Sequence, residues 1–168
     1  MKRRHIVFLG ILAILAAAAL IYTRSMSLQA LGKVDIAQCG SVSGDYRCAP
    51  DTEYTSFELS AEDARRSQLI DLFAQQKYRR SLINLLSPDG GSTHQPKDGD
   101  FIWDLSFNFG PTDFPDGSTG KGAFIHCRDF YGTLSIFTAI DGKTHRCTTS
   151  DQTEFLQQVY DIISSDAP

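Results

Sequence analysis

The sequence predicts an α+β domain behind an N-terminal transmembrane helix, with a four-strand antiparallel meander and two helices packed on one face of it. Three observations lead to this fold class. A long apolar run follows a basic N-terminus, the stretch Phe101–Phe109 alternates apolar and polar residues, and two other stretches space their apolar residues as one face of a helix. Strands grouped together, with helices before and after them, are typical of an antiparallel sheet that has its helices on one face.

The first predicted element is the apolar helix. Residues 6–22 contain no charged side chain, and Lys2, Arg3 and Arg4 precede them. A helix of this length spans roughly 25 Å, which is the short end of what crosses a bilayer. We therefore predict an uncleaved signal-anchor. A cleaved signal peptide and a secreted domain are the alternative, with Leu-Gln-Ala at 28–30 as the cleavage candidate. The chain then divides into a transmembrane segment at 1–24, a spacer at 25–33 and an extracytoplasmic domain at 34–168.

The charges predict the orientation and exclude one class of partner. Three basic residues precede the apolar run and one, Arg24, follows it, so the domain is expected outside the cytoplasm. The first 24 residues hold four of the 16 basic residues and none of the 20 acidic ones, which leaves a net charge of −8 on the rest of the chain. An acidic domain does not bind a phosphate backbone, so no nucleic-acid partner is expected. Anionic lipid should repel it as well, so membrane attachment is assigned to the helix.

The four cysteines predict two disulfides, because an even number in an exported domain is typical of paired thiols. Cys39 and Cys48 bracket a short Gly- and Ser-rich loop and are the favoured pair, which leaves Cys127 with Cys147. In a plain meander the last two would lie about 10 Å apart, too far to bond, so a mixed pairing between the halves is an alternative. Free buried thiols are another. Zinc is disfavoured, since neither pair has the short spacing of a structural zinc site.

The segment before the long strand is predicted as two weak strands and a helix. Residues 34–37 and 54–59 are the strands, and the composition of residues 87–100 predicts a loop. Ser60 is predicted to cap the helix, and acids at the next positions suit the positive end of its dipole. The apolar stripe of this helix consists of Ala64, Leu69, Ile70 and Phe73.

Four strands and a last helix complete the domain. Gly-containing turns at 129–132 and 141–142 join the last three strands, and a second long loop occupies 110–122. In layout, though not in any motif, this order resembles many small anchored or lipid-linked extracytoplasmic domains. The strands are predicted at 101–109, 123–128, 133–140 and 143–148. The last helix, capped by Thr149 or Ser150, has an apolar face of Phe155, Leu156, Val159, Ile162 and Ile163.

Several sequence patterns resemble ligand-binding or catalytic motifs but lack residues that those motifs require. Residues 117–122 resemble a phosphate-binding loop, but the first glycine and the hydroxyl after Lys121 are missing. Asp113 and Asp116 offer oxygen ligands for Ca²⁺ without the dense run of an EF-hand, so a solvated acidic loop is favoured. No serine lies in a Gly-x-Ser-x-Gly elbow.

The histidines are the remaining candidates for metal ligands or bases. His126 and Cys127 are neighbours on one strand and point to opposite faces, whereas His145 and Cys147 share a face. Two ligands do not make a site, so solvated or packing histidines are favoured there and at His94. We therefore predict no catalytic residue, no metal and no cofactor. Enzyme activity stays undecided, because dyads and triads assemble from residues distant in sequence.

The predicted hairpins place three residues in one row across the sheet. The first turn pairs Phe124 with Phe137, and the second pairs Phe137 with Arg146. Two rings beside a guanidinium predict an interaction surface. The alternative is that residues 34–59 fold over the row as a second small core. The face opposite the row, assigned to the helices, contains Ile125, Ile136 and Ile140.

The sequence therefore favours a membrane-anchored binding or interaction domain of unknown ligand, with a protein or envelope component as partner. Two other classes are kept as alternatives: an envelope hydrolase whose site is visible only in the fold, and a structural subunit of an envelope complex. A pocket with perturbed titratable groups would favour the hydrolase, and an apolar surface patch would favour binding.

Overall fold

The computed structural model describes residues 2–82, 97–110, 112–113, 119–120, 124–130, 132–139 and 142–165. The fold is α+β, with an N-terminal apolar helix followed by a seven-strand antiparallel sheet and helices. The helices are α1 Lys2–Tyr22, α2 Leu28–Gly32, α3 Ala64–Gln75 and α4 Gln152–Ser164, with a 3-10 turn at Ile36–Gln38. The strands are β1 Cys39–Cys48, β2 Thr55–Leu59, β3 Arg79–Arg80, β4 Phe101–Phe109, β5 Thr112–Asp113, β6 Thr119–Gly120, β7 Phe124–Phe130, β8 Thr133–Thr138 and β9 Lys143–Thr148.

The predicted four-strand meander forms the centre of the sheet, but the sheet has seven strands. The strand order is β2-β1-β4-β7-β8-β9-β3, while β5 and β6 form a separate ribbon. β1 was predicted as a loop because it is rich in glycine and serine, yet it pairs with β4 from Cys39 opposite Phe109 to Cys48 opposite Phe101. A Cβ at Gly44 would overlap the carbonyl oxygen of Asp104. This glycine therefore permits a close approach of two strands and does not mark a turn.

The core lies between one face of the sheet and helices α2, α3 and α4, as the predicted one-sided packing requires. Phe73 of α3 is at its centre: its ring centroid lies 4.9 Å from that of Phe107 and 5.1 Å from that of Phe155. Ile125 and Ile136, which were assigned to the helices, are both fully buried in this cluster. Trp103 is buried as well, and its indole Nε1 donates to the backbone carbonyl of Leu156 at 3.3 Å. Ile140 is outside the described residues.

Both hairpins have a register two residues away from the predicted one. Phe130, and not Arg128, pairs with Thr133, because Gly132 adopts a positive φ of 81° in a shorter turn. Thr138 pairs with Lys143, so the second turn is longer than the predicted Asp141-Gly142 pair, of which Asp141 is outside the described residues. A shift by two residues keeps every side chain on its predicted face. The face assignment is therefore right, although the pairs within it are wrong.

All four cysteines are free thiols, so the two predicted disulfides are absent. Cys39 and Cys48 stand at the two ends of β1, which places them about 30 Å apart at the rise of an extended strand. Cys127 on β7 and Cys147 on β9 have β8 between them, a separation of about 10 Å that exceeds disulfide reach. A mixed pairing fails as well, because β4 separates β1 from β7 and further strands separate β1 from β9.

The N-terminal helix is long and apolar enough to cross a membrane. The window His5–Tyr22 has a mean hydropathy of 2.5, and none of it is buried against the domain. These properties fit a membrane anchor or a signal sequence. Within the segment predicted as a spacer, Leu28 and Leu31 of α2 are buried in the domain core.

Candidate functional site

The outer face of the sheet, defined here as the face opposite α2, α3 and α4, is the candidate site. On β4 it displays Asp104, Ser106 and Asn108, which alternate with the buried residues of the same strand. Residues 34–59 do not bury Phe124, which is 39% exposed, because β1 and β2 of that segment extend the sheet sideways. The alternative of a second small core formed by that segment is therefore wrong.

The three residues predicted as an interaction surface lie together on the outer face. The side chain of Phe124 is 39% exposed and that of Phe137 is half-buried, with their ring centroids 5.8 Å apart. Phe137 lies opposite His126, and Arg146 lies opposite Ser135. The three are diagonal neighbours and not one row. Their role in binding remains a prediction.

A carboxylate shared by two basic side chains lies next to the aromatic pair. Asp104 of β4 accepts from Nε of Arg128 at 2.7 Å, and its other oxygen contacts Nε2 of His126. Burial raises the pKa of Asp104, but the hydrogen bonds from His126 and Arg128 outweigh that effect and hold the pKa below its ordinary value. Asp104 therefore stays ionised, and it fixes both partners on the sheet surface.

Two clefts flank Arg128 on this face. One has a volume of about 310 Å³, and the other has about 250 Å³. Volumes of this size are near or below the lower end of the range of small-molecule pockets. The larger cleft is lined by His126, Arg128, Ser135, Phe137 and Thr144. The smaller is lined by Asp45, Tyr54, Ile102, Trp103, Asp104, Arg128, Asp129 and Phe130.

Asp129 is a buried carboxyl at the end of β7. Its side chain accepts the backbone N–H of Gly132 at 2.8 Å and so holds the β7–β8 turn. Burial raises the pKa of Asp129 to about 6, against backbone hydrogen bonds from Gly132 and Thr133 that lower it. It also lines a third cavity, of about 310 Å³, beside Gln152 in the first turn of α4.

The buried thiols and His145 lie on the core side of the sheet and not at the candidate site. His145 and Cys147 share that face as predicted, and both are buried. Burial raises the pKa of Cys147 to about 12 and that of Cys127 well above its ordinary value, so neither is a thiolate at neutral pH. Among the residues that the structure describes, no group of three or more His, Cys, Asp or Glu could hold a metal ion. His94 and Asp116 are outside them.

Sequence reasoning missed the Asp104 cluster and the role of Asp129. Cys127 is the neighbour of His126 in the sequence, whereas the partner of His126 in the fold is Asp104 on another strand. The signal was present in the alternation, since Asp104, His126 and Arg128 all occupy polar positions of their strands. The alternation reveals the cluster only when the register between β4 and β7 is also known.

Comparisons of this chain with protein-family models, with curated proteins and with solved structures found no match.

Proposed function

We propose that this chain is a membrane-anchored binding module whose outer sheet face takes a protein partner outside the cytoplasm. One observation carries the proposal: the described helices of the domain all pack on the other face, and the outer face presents Phe124 and Phe137 beside the Asp104–Arg128 pair. Aromatic residues, phenylalanine among them, and arginine are enriched at protein interfaces relative to the rest of the surface.

The clefts on either side of Arg128 support a peptide or protein surface as the ligand. Their volumes of about 310 and 250 Å³ are near or below the lower end of the range of small-molecule pockets, which favours single side chains of a partner as their occupants. The neighbouring rings of Phe124 and Phe137 favour a partner that brings an apolar group to this face. The net charge of −8 beyond the first 24 residues argues against nucleic acid.

The orientation in the membrane is supported by the basic residues alone. Lys2, Arg3 and Arg4 precede the apolar segment and Arg24 follows it, which favours a cytoplasmic N-terminus. Disulfides would have supported the export of the domain, but the four cysteines are free thiols. Protease protection of the full chain in oriented membrane vesicles tests this part separately.

A photo-crosslinking residue at position 124 of the full chain in its own membrane tests the binding face. Leu82 is the matched control position, because it is exposed to a similar degree, 43% against 39%, and follows the edge strand β3, from which β8 and β9 separate β7. We expect one partner to crosslink from position 124 and not from position 82. The double variant Phe124→Ser, Phe137→Ser should lower the binding affinity for that partner by about tenfold or more and leave the melting temperature nearly unchanged. Equal crosslinking from both positions would reject the proposal.

A hydrolase is the second candidate, and one observation favours it. Asp104 hydrogen-bonds to His126, and Ser106 lies directly opposite His126 in the β4–β7 pair. This places the three residue types of a hydrolytic triad on one face. However, Arg128 shares the carboxylate, and within the described residues the ring of His126 is bonded to Asp104 and to no hydroxyl. Labelling by a fluorophosphonate probe that Ser106→Ala abolishes would establish this candidate, and no labelling would reject it.

A further inference from the structure

The junction between α1 and the domain is short and held by backbone hydrogen bonds. Residues 23–25 alone separate Tyr22, the last residue of α1, from Met26. The N–H of Met26 donates to the carbonyl of Tyr78 at 3.0 Å, and the N–H of Tyr78 donates back at 2.8 Å. Four peptide steps reach at most about 14 Å, so this edge of the sheet stands close to the end of α1.

Side-chain contact confirms how close the two elements are. The guanidinium carbon of Arg80, on the edge strand β3, lies 4.6 Å from the centroid of the Tyr22 ring. This is within the distance of a cation–π interaction. The end of the apolar helix and the edge of the sheet therefore touch.

The fold gathers four basic residues at this junction, which we call the basic collar: Arg24, Lys77, Arg79 and Arg80. Arg24, Lys77 and Arg79 are exposed, and Arg80 is half-buried. The sequence contains no acidic residue in 1–34 or in 72–88, the two segments that supply the collar. The rest of the domain is strongly acidic, so positive charge is concentrated where the chain meets the apolar helix.

We propose that the basic collar binds anionic phospholipid headgroups of the leaflet from which α1 emerges. This inference rests on α1 spanning a bilayer, as in the proposed function. With residues 6–21 in the hydrocarbon core, Tyr22 lies at the interface that suits its ring, and the collar lies at headgroup level. Each Lys or Arg near an anionic surface contributes about a fivefold gain in affinity. The local charge thus reverses the repulsion that the net charge of the domain predicts.

The full chain reconstituted into vesicles of phosphatidylcholine, alone or mixed with phosphatidylglycerol, tests the collar. Spin-labelled lipids of the two types measure which headgroup is retained next to the protein. The test variant combines Lys77→Gln and Arg79→Gln. The control combines Lys97→Gln and Lys143→Gln, which are exposed, change the net charge by the same amount and are outside the collar.

We expect the unmodified chain and the control to prefer phosphatidylglycerol by about fivefold or more, and the collar variant to lose most of that preference. No preference in the unmodified chain, a preference kept by the collar variant, or an equal loss in both variants would overturn the inference. Alkaline carbonate extraction separates the two proposals. Release of the chain would reject the anchor and this inference together, whereas retention without lipid preference would reject the collar alone.

Discussion

The inner and outer faces of the sheet are built from alternate residues of the same strands, yet they differ in what covers them. On β4, Trp103, Leu105 and Phe107 are at most 1% exposed beneath the helices, while Asp104 and Ser106, which alternate with them, stay partly accessible. Burial of apolar area supplies most of the folding free energy. The inner face therefore determines stability, and residues of the outer face can be substituted with little loss of folding free energy. Four pairs of substitutions test this division.

The largest effect is expected from Phe73→Ala in the core. The side chain is fully buried between Phe107 and Phe155, so its removal leaves a cavity and should cost about 3–5 kcal/mol of unfolding free energy. Phe124→Ala on the outer face removes the same side chain where it is 39% exposed and should cost about 1 kcal/mol or less. Denaturant unfolding of the full chain in detergent measures both. Similar losses at the two positions would contradict the division.

Asp129→Asn should change how stability depends on pH. Because the pKa of Asp129 is raised from 3.8 to about 6 in the folded protein, its stabilising effect is complete below pH 3.8 and is lost as pH rises to about 6. The loss is roughly 3 kcal/mol for a shift of this size. The amide does not titrate, so the variant should not show that fall. Unfolding free energies measured across this pH range give the difference.

The control for Asp129 is Asp161→Asn, which removes an exposed carboxylate on α4. It should follow the unmodified protein across the whole range. An Asp129→Asn variant that keeps the full pH dependence would show that another group is responsible.

Gly44→Ala tests the close approach of β1 to β4. A Cβ there overlaps the backbone carbonyl of Asp104, which cannot move without displacing β4, so we expect a loss of about 1–3 kcal/mol. Gly40→Ala is the matched control on the same strand. Its Cβ would lie 3.6 Å from the carbonyl oxygen of Asn108, an ordinary contact, and should cost little. Equal melting temperatures for the two variants would show that β1 is not packed as described.

The contrast between β4 and β1 explains how much of the fold the sequence could predict. β4 has large apolar residues at every second position, so its alternation reveals the strand without knowledge of its partners. β1 is rich in glycine and serine, and at Gly44 its backbone lies so close to β4 that a side chain would not fit; that contact is a property of the pair. Local composition therefore predicted a loop closed by a Cys39–Cys48 bond. The long strand that exists instead keeps those thiols apart.

The sequence predicts on which face of the sheet the residues of the candidate site lie, but not which residues they contact. Alternation placed Phe124, Phe137 and Arg146 on one side of the sheet, and that assignment survives the register shift because the shift is even. The pairing of Asp104 with Arg128 depends on the alignment of two strands separated by a loop. Alternation within one strand has no information on that alignment.

The smallest effect is expected from the ion pair on the outer face. Arg128 is 55% exposed there, and exposed pairs contribute about 1 kcal/mol or less, so Asp104→Asn and Arg128→Gln should each change stability only slightly. A double-mutant cycle isolates their coupling. Because the pKa of Asp104 is below its ordinary 3.8, this coupling should be present above pH 3.8 and disappear as pH falls through the lowered pKa, opposite in sign to Asp129. A coupling well above that size would mean that the outer face contributes to folding as the core does, and the division between the two faces would fail.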